Sequence, residues 1–170
     1  GSGAVRYADG VAEPLRSGQV GDHAVVLSVH EDAEGTLWFG TADSLMRYRD
    51  GVVRAFTLED GLVDDRVYTV LEDDEGYLWL SGNRGVTRVS KAALDAVARG
   101  EADSVSVVLY TSTDGMPANE CNGGLNPAGM RAADGRLWFP TVGGVAVVDP
   151  GRMHTSDVPP PMLIEQVLVE

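Results

Sequence analysis

Cysteine is nearly absent: Cys121 is the only one. A lone thiol makes no internal disulfide and no multi-cysteine zinc site. Long apolar runs are missing too. No stretch approaches the roughly 18 residues needed to span a bilayer. Positive charge is scarce: 13 Lys and Arg stand against 26 Asp and Glu, a formal net charge of −13. No basic run interrupts that balance. Such a field repels nucleic acid and anionic lipid, so neither is an expected partner. The histidines His23, His30 and His154 are scattered, with no i, i+4 pair to hold a metal. Ser28, Ser44 and Ser81 lie in no Gly-x-Ser-x-Gly elbow. Cys121 stands between Glu120 and Asn122, with no basic neighbour to activate a thiolate. The acidic clusters Asp32/Glu34 and Asp73/Asp74/Glu75 lack the alternation of a calcium loop. No catalytic residue, metal or cofactor is expected.

What the chain does have is a repeat. Glu31-Asp32-Ala33-Glu34-Gly35-Thr36-Leu37-Trp38-Phe39-Gly40 returns as Glu72-Asp73-Asp74-Glu75-Gly76-Tyr77-Leu78-Trp79-Leu80-Ser81. A worn third copy is Arg131-Ala132-Ala133-Asp134-Gly135-Arg136-Leu137-Trp138-Phe139-Pro140. The three tryptophans of the chain all occupy one position of this unit. Each copy reads as a β-hairpin, with an acidic, glycine-containing turn between runs of β-formers. The Asp accepts hydrogen bonds from turn amides, and the glycine takes a positive φ. Trp38 and Trp79 stand 41 residues apart, and Ala4–Leu15 aligns with Leu45–Phe56 at the same offset. The first copy therefore holds only the second half of a unit.

A full unit carries four short strands, predicted at Ala24–His30, Thr36–Thr41, Leu45–Arg49 and Val52–Thr57. The next has Arg66–Glu72, Tyr77–Ser81, Gly85–Val89 and Val105–Tyr110. Its last two strands are separated by a predicted helical insert, Lys91–Ala98, capped by Ser90 and ended near Gly100. The third has Arg136–Thr141 and Gly144–Val148. Val158-Pro159-Pro160-Pro161 reads as a stiff extended linker, and Met162–Val169 as a strand. Four-stranded antiparallel meanders at a period near 40 indicate blades of a β-propeller. The fold class is all-β: a half blade at 4–20, blades at 21–60 and 61–114, and a last blade at 115–158. Residues 1–3 read as an expression scar. Trp38, Trp79 and Trp138 are expected to pack between blades. Propeller rings close with about four or more blades. The chain therefore reads as part of a larger ring, expected to self-associate through blade faces or edge strands.

These motifs resemble the two-component regulator propeller repeats of bacterial sensors. The resemblance rests on the three "D/E-G-x-L-W" hairpins and on Asp60-Gly61-Leu62 and Asp114-Gly115-Met116. It rests also on Asn119-Glu120-Cys121-Asn122-Gly123-Gly124 and on Gly144–Pro150. Ala132, Pro140 and the helical insert depart from the pattern. The resemblance implies a non-catalytic sensory segment outside the cytoplasm, in the periplasm. It implies a membrane-anchored parent with a histidine kinase or diguanylate cyclase output. It also implies that residues 159–170 lead into an Ig-like module. Alternatives are an assembly module without ligand, or a propeller enzyme of lyase or lactonase type.

Propellers bind ligands through loops at one end of the central channel. Two loop sets share that end here. The links into first strands are Gly21–His23, Val63–Arg66 and Pro117–Asn122. The turns between second and third strands are Ala42–Ser44, Gly82–Gly85 and Val142–Gly144. The candidate ligand-binding residues are Asp43, Asp65, Arg66, Asn83, Arg84, Asn119 and Asn122, for a small molecule or oligosaccharide. The competing expectation is that they only satisfy loop backbone.

Overall fold

The structure is a computed structural model that describes residues 5–8, 10–14, 25–124 and 127–153. Strands β1 (Val5–Ala8) and β2 (Val11–Pro14) form an antiparallel hairpin. Strands β3 (Val26–Glu31), β4 (Leu37–Thr41), β5 (Leu45–Arg49) and β6 (Val52–Phe56) make a four-stranded meander. A second four-stranded sheet contains β7 (Thr69–Glu72), β8 (Tyr77–Ser81), β9 (Val86–Ser90) and β10 (Val107–Tyr110). Helix α1 (Lys91–Ala98) interrupts it between β9 and β10. The third sheet has three strands: β11 (Met130–Arg131), β12 (Leu137–Thr141) and β13 (Gly144–Val148). The sequence reading of Gly21–His23, His154 and Met162–Val169 lies outside the described residues.

Alternation along the strands decides which face meets which sheet. In β4, Trp38 faces the second sheet. It joins Leu45 and Phe56 in one buried cluster with Leu78, Leu80, Val89, Leu94 and Val97. In β8, Leu78 and Leu80 point back to the first sheet, and Trp79 points forward. Trp79 is buried with Val86, Cys121, Leu137 and Phe139. The sheets thus stack in series. Each puts a tryptophan into the seam with its successor and a pair of large apolar side chains into the seam with its predecessor. Trp138 faces away from the second sheet, and no described sheet covers it.

The strand limits differ from the sequence reading in one informative place. Arg66–Tyr68 is not paired as strand, although its β-formers suggest one. The Val67 N–H donates to Thr41 O of the preceding sheet at 2.9 Å, and the Tyr68 N–H to Ser81 O at 2.8 Å. The segment stitches sheet to sheet before β7 begins. Helix α1 is capped by Ser90, whose side chain accepts from the Ala93 N–H. Leu94 and Val97 bury its apolar face over the first seam.

Two local devices punctuate the repeat. Thr57 and Asp60 form a reciprocal capping box around a single 3-10 turn, Leu58–Asp60. Thr111 and Asp114 repeat it at Ser112–Asp114. Gly61 follows with φ +99 and lies against the Val105 carbonyl, where a side chain would collide. The Asp-Gly-Leu and Asp-Gly-Met links stand out in the sequence. The threonine three residues before each aspartate is the part of the signal not anticipated from sequence, although Thr-x-x-Asp before a glycine is a visible capping pattern.

Candidate functional site

Among the described residues, the links 63–66 and 117–122 meet the turns 82–85 and 142–144 at one end of the sheets. Asp64 is the organiser of the link 63–66. Its Oδ2 accepts from the N–H groups of Asn83 at 2.6 Å and Arg84 at 3.0 Å. Its Oδ1 accepts from the Arg66 N–H at 3.2 Å. The Arg84 guanidinium donates back to Val63 O at 2.8 Å. The Tyr68 hydroxyl donates to Asn83 Oδ1 at 2.6 Å. Asp64 was not among the sequence candidates. An Asp preceding an Arg by two residues is a weak signal, because the turn it serves lies about 20 residues on.

Asn119 and Asn122 serve the joint between the second and third sheets. Asn119 Oδ1 accepts from the Ser112 N–H at 2.7 Å. The Asn122 amide nitrogen donates to Thr141 O at 3.0 Å. Between them the Cys121 N–H donates to Gly82 O at 3.0 Å, and the Val142 N–H to Glu120 O at 3.0 Å. Gly123 lies flat on the Tyr68 ring, where any β-carbon would collide. The Asn-Glu-Cys-Asn-Gly-Gly motif is thus a clamp built largely from backbone. Asp43 closes its own turn, accepting from the Thr41 hydroxyl at 2.8 Å. Asp65 and Arg66 are exposed in the link between the first two sheets. The structure therefore brings Asn83, Arg84 and the 63–66 link together around Asp64. It places Asn119 and Asn122 in the next joint and Asp43 at the end of the first sheet.

Beneath Asp64 and Arg66, walled by Leu62, Ser81, Gly82 and Thr87, lies a cavity of about 10 Å³. That is room for one water, not for an organic ligand. The buried Ser81 hydroxyl has no protein partner there, which suits such a water.

Cys121 is buried and unpaired. Burial pushes its thiol up to about 11, with the Asp64 carboxylate adding to the shift and the Gly82 backbone contact opposing it. Among the described residues no group of three or more His, Cys, Asp or Glu is placed to hold a metal ion.

Charge is concentrated at the opposite end of the first seam. His30 Nε2 lies 3.0 Å from Glu72 Oε2. Lys91 pairs with Glu72 and lies 3.4 Å from Asp32 Oδ2. Arg47 meets Asp95 at 2.8 Å. Asp32 is also the acceptor that ties the repeat together. Its Oδ1 accepts from the N–H groups of Glu34 and Thr36, and its Oδ2 from the Trp38 indole, each at 3.0 Å. Asp73 does the same for Glu75, Tyr77 and Trp79, at 2.9, 2.9 and 2.8 Å. In the third copy Ala132 stands in place of the aspartate, and the buried Trp138 Nε1 has no partner. Burial would raise the Asp32 carboxyl. The Trp38 indole, the Thr36 and Glu34 amides and the Lys91 ammonium outweigh it and hold the pKa below 3.8.

Four-stranded sheets stacked face to face through a repeated tryptophan define a segment of a β-propeller. Residues 20–43 and 61–84 match the model of the two component regulator propeller. The two stretches are equivalent parts of successive repeats. These two stretches are similar to two-component regulator propeller repeats. Solved structures share the fold. One is the extracellular domain of a protein described as a hybrid two component system, BT3049 of B. thetaiotaomicron. It matches with TM-score 0.59 at 17% identity, over 74% of this chain and 16% of that one. Another is the extracellular domain of a protein described as a one component system, BT4673 of the same organism. It matches with TM-score 0.61 at 16% identity, over 86% of this chain and 18% of that one. The chain thus spans less than a fifth of either structure. No curated protein matches it.

Proposed function

We propose that this chain is a non-catalytic segment of a sensory propeller, held outside the cytoplasm by a membrane-anchored signalling protein. The observation that carries this reading is the family match in two successive repeats, residues 20–43 and 61–84. The extracellular placement of the two structural neighbours supports the compartment, which we take to be the periplasm. Among the described residues no helix is long and apolar enough to cross a membrane, so the anchor would lie elsewhere in the parent. The output of that parent would be a histidine kinase or a diguanylate cyclase.

The ligand-facing part is the loop end around Asp64, where Asp65 and Arg66 are exposed. The pocket here has room for a single water, so a small molecule or oligosaccharide would be held at the mouth of the assembled channel, across loops of several blades. An enzyme reading finds less support. His30 and Glu72, on the inner strands, are engaged with each other and with Lys91. The test is an amide-resolved NMR titration with neutral oligosaccharides and small organic acids. Shifts confined to Val63–Arg66 and Asn83–Arg84 are the expected result. Turnover of any of these compounds by the isolated chain would refute the non-catalytic reading.

A further inference from the structure

The repeat separates what the fold needs from what one loop adds. Five residues after the tryptophan, the turn carries Asp43, Arg84 and Gly143 in the three copies. Asp43 closes its own turn on the Thr41 hydroxyl. Gly143 lies against the Pro117 carbonyl, where a β-carbon would collide. Neither turn needs a cation. Arg66 falls, at the repeat offset of 41, where the first copy has Val25. The second repeat has thus put two arginines at its loop end, in a chain of net charge −13. One carboxylate gathers them. Asp64 Oδ1 accepts from the Arg66 N–H and Oδ2 from the Arg84 N–H, so both side chains leave from a common anchor. The Asn83 N–H also donates to Oδ2, so backbone amides occupy both oxygens of that carboxylate. The Arg84 guanidinium is steadied by a single bond, from Nη1 to Val63 O at 2.8 Å, and the rest of its fork makes no bond to a described residue. Every other lysine or arginine whose side chain is described pairs with a carboxylate. Among the described residues no carboxylate pairs with the side chain of Arg66 or Arg84, and both residues are exposed.

We infer that Arg66 and Arg84 form a binding site for the carboxylate group of a small monoanion. A guanidinium presents parallel N–H donors that match the two oxygens of a carboxylate. The shared Asp64 anchor sets both arginines in place before a ligand arrives, which lowers the ordering cost of binding. Asp65, exposed beside Arg66, and the acidic chain as a whole repel a second negative charge, so a polyanion is selected against. The inference rests on the reading of this loop end as ligand-facing and adds the chemical class of the ligand.

NMR titration at low, constant ionic strength tests it, with lactate, glucuronate, citrate and glucose as probes. Lactate and glucuronate should shift the amide and side-chain Nε–H signals of Arg66 and Arg84. Citrate should bind more weakly, and glucose should leave these signals in place. A glucuronate affinity above that of lactate assigns the carboxylate to an acidic sugar; an equal or lower one assigns it to a free organic acid. Arg66→Gln and Arg84→Gln should each weaken lactate binding roughly tenfold. Arg66→Gln removes no side-chain bond to a described residue, so it keeps the test valid if Arg84→Gln loosens the turn. Lactate affinity unchanged in Arg66→Gln, or citrate binding tighter than lactate, overturns the inference. Glucose shifting Val63–Arg66 and Asn83–Arg84 equally in the native chain and in Arg66→Gln, with no response to lactate or glucuronate, overturns the inference and leaves the loop end as ligand-facing. No shift of these amides by any of the four probes or by neutral oligosaccharides overturns both.

Discussion

At the scale of the residue, one aspartate per repeat does two jobs. Asp32 and Asp73 each satisfy two turn amides and the indole N–H that enters the seam. Removing such an acceptor strands buried donors, at about 1–3 kcal/mol each. Asp73→Ala should therefore cost about 3 kcal/mol, measured as a lower denaturant midpoint at unchanged slope. A change near zero would show that the indole bond is dispensable. The third repeat offers the converse. Its turn keeps the same frame, with the Ala132 N–H donating to Arg136 O and the Gly135 N–H to Ala132 O. Asp134 has taken over the Arg136 amide at 3.2 Å, and the buried indole N–H is left without an acceptor. Ala132→Asp should stabilise by about 1 kcal/mol. A loss of stability would mean that the third turn cannot host the carboxylate. At Cys121 a buried thiol raised to about 11 stays protonated at neutral pH. Thiol reagents should label it only as fast as the chain unfolds; rapid labelling of the native protein would contradict that.

At the scale of the element, the clamp 119–124 and the ionic seam set the terms. Gly123→Ala must displace the Tyr68 ring and, with it, the Tyr68–Asn83 bond. A loss of about 1–3 kcal/mol is expected, and an unchanged melting curve would place Gly123 away from that ring. The seam at Asp32 gives a pH signature. Its carboxyl is depressed, so its contribution is complete above 3.8 and is lost as pH falls through the lower folded value. Lys91 works in the other sense. Burial would lower it, but the carboxylates of Glu72 and Asp32 win and raise it above 10.5. Its contribution is complete below 10.5 and fades as pH rises through the folded value. The stability difference between the native chain and Asp32→Asn should vanish at acid pH; a constant difference would refute the assignment. Much of this element scale was legible beforehand. The hairpins, helix α1 with its Ser90 cap and the sheet membership followed from period-two alternation and turn residues, which act locally. The indole–aspartate bond was not legible: six residues separate donor from acceptor, and only the folded hairpin brings them together. Nor was Asp64, whose partners lie in another turn. The candidate residues Asn83, Arg84, Asn119 and Asn122 were found as loop positions. Their bonds to backbone depend on neighbouring sheets, which no local pattern encodes.

At the scale of the molecule, the sheets are copies that stack by one rule: a tryptophan forward, a large apolar pair back. The rule fills the Trp38 and Trp79 seams; among the described residues no sheet covers the Trp138 face. The measurement that tests this rule most directly is a set of through-space NMR contacts from the indole protons of the three tryptophans. Trp38 should contact methyl protons of Leu78, Leu80 and Val89, and Trp79 should contact Leu137 and the Phe139 ring. Contacts from Trp38 or Trp79 confined to their own sheets would contradict the stacking, and with it the propeller reading of the whole chain.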